Sequence, residues 1–169
     1  MVWYAGPMLY FAYGSNMDRR AMAVRCPQAL ALGVAALPGW RLFIGSGGWG
    51  SIDPKAGHAV HGVLWKLTPR DLAALHTYEL HHKGLYDVRA VPVLFGARRL
   101  AAAAYVLRRR IPGTPKPGYI ALIVRAARDW DLPERYVASV ARRARSGWAG
   151  RRGAKTGGVS WEVRGSSAT

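Results

Sequence analysis

The chain has a single cysteine among its 169 residues, and this scarcity excludes an internal disulfide. Disulfides belong to oxidising compartments, so a lone thiol favours a protein of a reducing one, and we predict a cytoplasmic location. Cys26 is open to two interpretations, a buried structural thiol or a nucleophile. Because free cysteine is among the most buried residue types, the sequence favours the structural interpretation.

Long apolar runs are also missing. Half of the residues are hydrophobic, yet no stretch approaches the roughly 20 apolar residues that a membrane-spanning helix needs. The first thirteen residues are fairly apolar but show no basic start and no small-residue cleavage motif, so we expect no signal peptide. The sequence thus predicts no membrane partner, and an apolar content sufficient for the core of one domain.

Acidic residues are few. Nine acidic residues stand against 25 basic ones, which gives a net charge of +16. Such an excess suits a nucleic-acid partner. However, 20 of the basic residues are arginines spread along the whole chain, with clusters only at 108–110 and 142–155. Nucleic-acid binding is therefore an alternative and not the main prediction.

One apparent cofactor motif fails in its context. Residues Gly45 to Gly50 spell the G-x-G-x-x-G pattern of dinucleotide-binding proteins. That pattern has to open a helix, whereas here Asp53 and Pro54 follow it. We therefore predict no dinucleotide cofactor.

The histidines do not form a metal site either. His58 and His61 are three residues apart on a predicted strand, so they face opposite sides of it. His81 and His82 are adjacent, but no further convincing ligand accompanies them, and surface positions are favoured. We predict no metal and no cofactor.

Hydrophobic periodicity predicts a chain of mixed α and β structure. Thr68, Pro69 and Asp71 form a typical helix start, and apolar alternation on both sides of Gly96 predicts a hairpin. Strands and helices do not alternate regularly, which favours the α+β class over a doubly wound sheet. The predicted strands are 8–13, 41–44, 59–66 (with a bulge at Gly62), 86–94 and 100–107, where 101–104 is ambiguous with helix; the predicted helices are 18–25, 69–79, 119–130 and 133–145.

The end of the chain differs in composition from the rest. From Ser146 onward Gly, Ser and Arg dominate and apolar periodicity is lost. We therefore assign residues 1–145 to one domain and residues 146–169 to a basic Gly/Arg-rich tail.

The stretch from Tyr10 to Asn16 is the most informative of the chain. An alternating strand runs directly into Gly14, Ser15 and Asn16, three residue types that best tolerate tight backbone with positive φ. Backbone N–H groups of such a loop, pointed into a cavity, can hold a carboxylate or an oxyanion. An ordinary turn at a strand end is the alternative interpretation.

Glu79 lies where an acid is uncommon. It follows Leu72 by seven residues and Leu75 by four, which puts it on the apolar stripe of the predicted helix. A carboxylate taken out of water binds a proton more readily, as a general base requires. Alternatively, Glu79 turns out to solvent at the helix end or pairs with Arg89.

With these residues the chain resembles the γ-glutamylcyclotransferase-like (AIG2-like) family. The specific part is the Tyr13 to Asn16 stretch after the first strand, followed later by Glu79. The resemblance covers roughly residues 8–138 and is supported by 25–27 (Arg-Cys-Pro), 37–42 (Leu-Pro-Gly-Trp-Arg-Leu), 62–65 (Gly-Val-Leu-Trp), Leu75, Tyr86 and 117–119 (Pro-Gly-Tyr). One departure is Leu80, where characterised members often have glycine after the glutamate.

The resemblance implies a fold, a site and an activity. The fold is a small mixed barrel-like sheet with flanking helices, and the activity is release of 5-oxoproline from a γ-glutamyl amide without a cofactor. Tyr13, Gly14, Ser15 and Asn16 would bind the γ-glutamyl group, largely through backbone amides. Glu79 would be the acid/base, and Tyr86 and Tyr119 would line the pocket.

Two further functions stay as alternatives. One is an enzyme that processes an amide with a different acyl group. The other is a non-catalytic module that binds a small molecule or nucleic acid on the same fold. The presence of Glu79 favours an enzyme over a binding module.

Overall fold

The computed structural model of the chain describes residues 8–82 and 86–149 and, within these ranges, all side chains except those of 80–82 and 144–149. The tail predicted from 146 lies almost wholly outside them, so its separation from the domain stays a prediction. The described elements are β1 Met8–Ala12, a 3₁₀ turn Ser15–Met17, α1 Arg19–Arg25, β2 Leu30–Ile44, β3 Gly50–Leu67, α2 Pro69–His82, β4 Tyr86–Phe95, β5 Arg98–Leu107, α3 Tyr119–Asp129 and α4 Glu134–Ala149.

The five strands form a closed barrel in the order β1-β3-β2-β4-β5. β2 with β3 and β4 with β5 are antiparallel hairpins, and β1 pairs antiparallel with β3. β1 closes the barrel by parallel pairing with β5, where Tyr10 lies opposite Ala103. This confirms the predicted α+β class and the mixed barrel with flanking helices.

The pairing directions bring several strand ends together. β1 and β5 are parallel, so both end at the same rim of the barrel. β4 begins at that rim, where Tyr86 pairs with Leu107. The start of β3 reaches it as well, because the Leu107 N–H donates to the Ser51 hydroxyl at 3.0 Å. Residues at the ends of β1 and β5 and at the starts of β3 and β4 are therefore neighbours, although they are far apart in the sequence.

The first hairpin is much longer than predicted. The expected strands 41–44 and 59–66 are parts of β2 and β3, which have 15 and 18 residues. Residues 54–59 of β3 are exposed and include a proline, which hides the alternation of apolar residues. Register shifts at Ala31/Gly33 and at Pro38/Trp40 accommodate the glycines and proline of β2.

The bulge predicted at Gly62 is wrong, because Gly62 pairs in register with Ala35. Its glycine serves close packing instead, since a Cβ there would come within 2.2 Å of the Ala12 carbonyl oxygen. The ambiguous residues 101–104 are strand, within β5. The segment between Gly45 and Gly50 is the tight turn of the first hairpin. It leads into a strand and not into a helix, which agrees with the prediction that it is not a dinucleotide-binding motif.

The helices begin as the sequence predicts. The Thr68 hydroxyl accepts from the Asp71 backbone N–H at 3.1 Å and donates to the Asp71 carboxylate at 2.7 Å, which caps α2. α3 buries Tyr119, Ile123 and Ala126 against the barrel. α2 and α4 run three and four residues further than expected, to His82 and Ala149. No helix within the described ranges has the length and apolar character needed to cross a bilayer.

Candidate active site

A cavity lies at the rim where β1 and β5 end and β3 and β4 begin. It encloses about 280 Å³ of space between its walls, part of it open to solvent. All seven residues predicted for the site line this one cavity, together with three that were not predicted. The ten lining residues are Tyr10, Tyr13, Gly14, Ser15, Asn16, Gly50, Glu79, Tyr86, Tyr105 and Tyr119.

Glu79 is the carboxylate of this cavity. It is only 3% exposed, and its Oε1 accepts a hydrogen bond of 2.9 Å from Asn16 Nδ2. Glu79 is buried because it lies on the apolar stripe of α2, on which Leu75, one turn earlier, is completely buried. The alternative in which Glu79 turns out to solvent is wrong. Pairing with Arg89 is not observed either, because that side chain is exposed on β4.

Asn16 links two walls of the cavity. Its Nδ2 donates both to Glu79 and to the hydroxyl of Tyr10, the latter at 2.8 Å. Its Oδ1 accepts from Arg25 Nη1 at 2.5 Å. The side chain of Asn16 is 3% exposed, so its amide contacts protein groups rather than bulk solvent.

The loop after β1 has a different backbone from the one expected. Gly14 has φ −122°, and Ser15–Met17 form a 3₁₀ turn closed by the Met17 N–H donating to the Gly14 carbonyl. Positive φ is therefore not the reason for glycine at this position. Space is the reason, because a Cβ on Gly14 would lie 3.0 Å from the Tyr119 hydroxyl oxygen.

Tyr86 and Tyr119 hold Gly50 from two sides. The Tyr86 hydroxyl donates to the Gly50 carbonyl at 2.7 Å, and the Gly50 N–H donates to the Tyr119 hydroxyl at 3.0 Å. A tyrosine hydroxyl has one proton. Tyr86 therefore commits its proton to Gly50, whereas Tyr119 accepts there and keeps its own proton for a second bond.

The other three tyrosines follow the same accounting. Tyr13 donates its proton to the Tyr105 carbonyl oxygen. Tyr10 accepts from Asn16 and keeps its proton, and its ring packs edge-on against that of Tyr105, with centroids 5.8 Å apart. The Tyr105 hydroxyl is buried and has no hydrogen-bond partner among the described residues. Tyr10, Tyr105 and Tyr119 are thus the tyrosines of the cavity lining whose hydroxyl protons are not already donated to another protein group.

Burial raises the pKa of all five tyrosines of the cavity, Tyr10, Tyr13, Tyr86, Tyr105 and Tyr119. The negative charge of Glu79 adds to this rise in each of them. At neutral pH they are therefore uncharged, and Glu79 has a wall of neutral hydroxyls around it.

Tyr10, Gly50 and Tyr105 were missed as site residues. Tyr10 belongs to the strand that leads into the loop, so its position next to Asn16 was a usable signal. Gly50 and Tyr105 reach the cavity only through the first hairpin and through the β1/β5 closure. Nothing near them in the sequence indicates that they belong to the site.

Cys26 is not part of the cavity. It is 1% exposed, and its thiol donates to the Asp71 carbonyl oxygen at 3.4 Å. Burial, with a further contribution from Asp71, raises the pKa of the thiol to about 11. Cys26 is thus a buried structural thiol, as the sequence favoured.

Across 8–82 and 86–149 no group of three or more His, Cys, Asp or Glu side chains is arranged to hold a metal ion.

Comparison with known proteins agrees with this geometry. The sequence pattern of the family described as "Gamma-glutamyl cyclotransferase, AIG2-like" matches residues 10–131. Gamma-glutamylcyclotransferase of Homo sapiens is 30% identical over 139 residues, which cover 76% of this chain and 74% of that protein. The Mus musculus protein of the same name is 28% identical over 139 residues, which again cover 76% of this chain and 74% of that protein.

A solved structure named gamma-glutamyl cyclotransferase has the same fold. It superimposes with a TM-score of 0.74 at 28% identity, over 79% of this chain and 86% of that one. The match of the family pattern includes both the loop after β1 and Glu79. The chain belongs to the gamma-glutamyl cyclotransferase, AIG2-like family.

Proposed function

We propose that this chain is a cyclotransferase that cleaves a γ-glutamyl amide by attack of the substrate's own α-amine. The observation that carries the proposal is the Glu79 carboxylate, buried in a cavity of neutral hydroxyls and held by Asn16 at 2.9 Å. Family membership supports the same reaction class.

The reaction needs only groups that the substrate and the chain supply. The α-amine nitrogen attacks the γ-carbonyl carbon, and a carbon–nitrogen bond forms that closes a five-membered ring. The bond from that carbon to the leaving nitrogen then breaks, which gives 5-oxoproline and a free amine. Because attack is intramolecular, holding the folded conformer of the substrate supplies much of the rate.

Glu79 moves the proton. The α-amine is mostly protonated at neutral pH and has to lose protons to become a nucleophile and then an amide. In all, the amine loses two protons and the leaving nitrogen gains two, since it departs as an ammonium group. Glu79 accepts these protons from the amine and returns them to the leaving nitrogen, so no net proton or water is consumed. A hydrogen bond from Asn16 holds Oε1 in place during both steps.

The charge that develops on the γ-carbonyl oxygen requires donors. We assign this role to backbone N–H groups of the Gly14–Asn16 loop and to the hydroxyls of Tyr10 and Tyr119, which keep a proton for such a bond. Tyr13 and Tyr86 instead brace the wall through their bonds to the backbone of Tyr105 and Gly50.

The cavity suits a small substrate. It is a small space enclosed by ten residues, which favours a small molecule over a macromolecule as its ligand. Its lining does not identify the leaving amine or amino acid. We also propose a cytoplasmic location, which the single free and buried thiol of Cys26 supports.

The proposal is tested by incubating the protein with a panel of γ-glutamyl amines and γ-glutamyl amino acids and measuring 5-oxoproline by mass spectrometry. Enzyme-dependent release with at least one substrate is expected. Binding of the compounds without any release would instead identify a module that has kept the pocket and lost turnover.

A further inference from the structure

Arg25 lies outside the cavity, at the last position of α1, and makes no part of its wall. Its guanidinium nevertheless contacts two residues that lead to Glu79. Nη1 donates to Asn16 Oδ1 at 2.5 Å, and Nη2 donates to the Tyr78 hydroxyl at 2.8 Å. The group also lies over the Tyr78 ring, 4.0 Å from its centroid.

We infer that Arg25 is a positioning residue of the site, which fixes the Asn16 amide so that its donors face Glu79 and Tyr10. This inference rests on the proposed function, because Glu79 is there the base. Within the described part of the chain Arg25 does not line the cavity, and its guanidinium hydrogen-bonds Asn16 and Tyr78 rather than Glu79. Its effect on Glu79 therefore passes through Asn16.

The argument follows from what each group can donate. A guanidinium has only donors, an ionised carboxylate has only acceptors, and an amide has one end of each kind. With Oδ1 towards Arg25, both Nδ2 protons are available for Glu79 and Tyr10. If the amide were rotated by half a turn, its Nδ2 donors would face the Arg25 donors, and its Oδ1 acceptor would face the acceptor oxygen of Glu79.

Charge strengthens the arrangement. A hydrogen bond from a guanidinium is stronger than one between neutral groups, and it polarises the amide that accepts it. The Asn16 Nδ2 protons become better donors to the Glu79 carboxylate and to the Tyr10 hydroxyl. The C-terminal end of α1 also favours a cation at position 25, because the helix dipole is negative there.

Lysine is a poor replacement in this geometry. Its ammonium is a point charge that can reach one acceptor, whereas the planar guanidinium serves Asn16 and Tyr78 at once while stacking on the ring. We therefore expect Arg25→Lys to retain part of the function and Arg25→Met to retain little.

A double-mutant cycle tests the route through Asn16. Arg25→Met should lower kcat roughly tenfold, the equivalent of one lost charge-assisted bond, and should change KM much less because Arg25 does not bind the substrate. In an Asn16→Ala background the same substitution should lower kcat less than about twofold, since the amide through which it acts is gone. Arg20→Met is the matched control, exposed on the same helix, and should leave kcat unchanged.

A second readout does not depend on turnover. In the wild type the Asn16 side-chain amide protons should exchange slowly with water. In Arg25→Met and Arg25→Lys, or in whichever of the two folds, the NMR signals of these protons should shift and the protons should exchange faster. If the wild type releases no 5-oxoproline, the proposed function fails while the NMR comparison still decides whether Arg25 positions Asn16.

Two results would overturn the inference. One is an equal loss of kcat from Arg25→Met with and without Asn16, which would show that Arg25 acts by another route. The other is an Asn16 amide whose signals and exchange are unchanged when Arg25 is replaced in a folded variant.

Discussion

The backbone N–H of Gly50 donates to the Tyr119 hydroxyl across 3.0 Å, and a Cβ on Gly50 would come within 2.9 Å of that same oxygen. This contact joins the start of β3 to the start of α3 at the rim of the barrel. The close approach means that position 50 is tied to the tyrosine that we assign as a donor to the substrate.

Gly50→Ala should therefore displace the Tyr119 hydroxyl and impair substrate handling. We expect kcat/KM to fall roughly tenfold and the free energy of unfolding to fall by about 1–3 kcal/mol, the range of overpacking costs. Steady-state kinetics and urea unfolding measure the two effects. Gly57→Ala is a suitable comparison, since a Cβ there meets no atom within 4 Å, although its positive φ adds a modest cost in stability.

Tyr86→Phe and Tyr119→Phe should differ, although both remove a hydrogen bond to Gly50. Tyr119 retains a proton for the substrate, so Tyr119→Phe should lower kcat/KM by the equivalent of about 1 kcal/mol beyond any loss of stability. Tyr86 has already donated its proton to the Gly50 carbonyl, so Tyr86→Phe should act mainly on the free energy of unfolding. Equal kinetic defects in the two variants would contradict this division of roles.

The buried tyrosines predict a loss of stability in alkaline solution. Their pKa is raised in the folded protein, whereas in the unfolded chain it is near 10. Below about pH 10 the tyrosines are protonated in both the folded and the unfolded protein, so the free energy of unfolding is not reduced by their ionisation. As the pH rises above 10, the unfolded chain ionises while the folded protein cannot, so the free energy of unfolding falls.

Urea unfolding between pH 8 and about pH 11 measures this decline. Tyr13→Phe removes one of the buried hydroxyls and should make the decline shallower, because one group fewer ionises only in the unfolded chain. A decline as steep as in the wild type would show that Tyr13 does not contribute to it.

The cap of α2 should matter for the helix that carries Glu79. Thr68→Ala removes the hydroxyl that accepts from the Asp71 N–H and donates to its carboxylate, and the free energy of unfolding should fall by about 1 kcal/mol. Thr77→Ala, on an exposed position of the same helix, serves as the control and should change stability by less than about half as much. Thermal and urea unfolding measure both variants.

The site could be predicted from sequence where the signal is local. The loop at 14–16 follows its strand directly, and the stripe of Leu72, Leu75 and Glu79 lies on one helix, so periodicity alone places the acid inward. The burial of Glu79 bears out that inference. The positive φ expected in the loop is wrong because the requirement at Gly14 is space next to Tyr119, a residue more than a hundred positions away.

Contacts between distant segments were not predictable in this way. Tyr105 enters the cavity because β5 pairs with β1, and Gly50 because a hairpin of unexpected length places it at the rim. Arg25 donates a hydrogen bond to Tyr78, which lies 53 residues further along the chain, and the sequence around Arg25 does not indicate that contact. The length of β2 and β3 was underestimated because the middle of β3 is exposed and carries no clear alternation.

The central claim is that Glu79 moves the proton in the proposed reaction. Glu79→Gln keeps the size of the side chain and an amide oxygen that can still accept from Asn16, but it cannot take a proton from the amine. The shorter Glu79→Asp should also lose activity, because it withdraws the carboxylate by about 1 Å.

The most direct test measures 5-oxoproline release by Glu79→Gln on the best substrate of the panel, with a parallel measurement of unfolding. The account predicts a folded variant that binds 5-oxoproline and turns over roughly two to four orders of magnitude more slowly than the wild type. A folded Glu79→Gln protein with near-normal turnover would contradict it and assign the proton transfer to another residue.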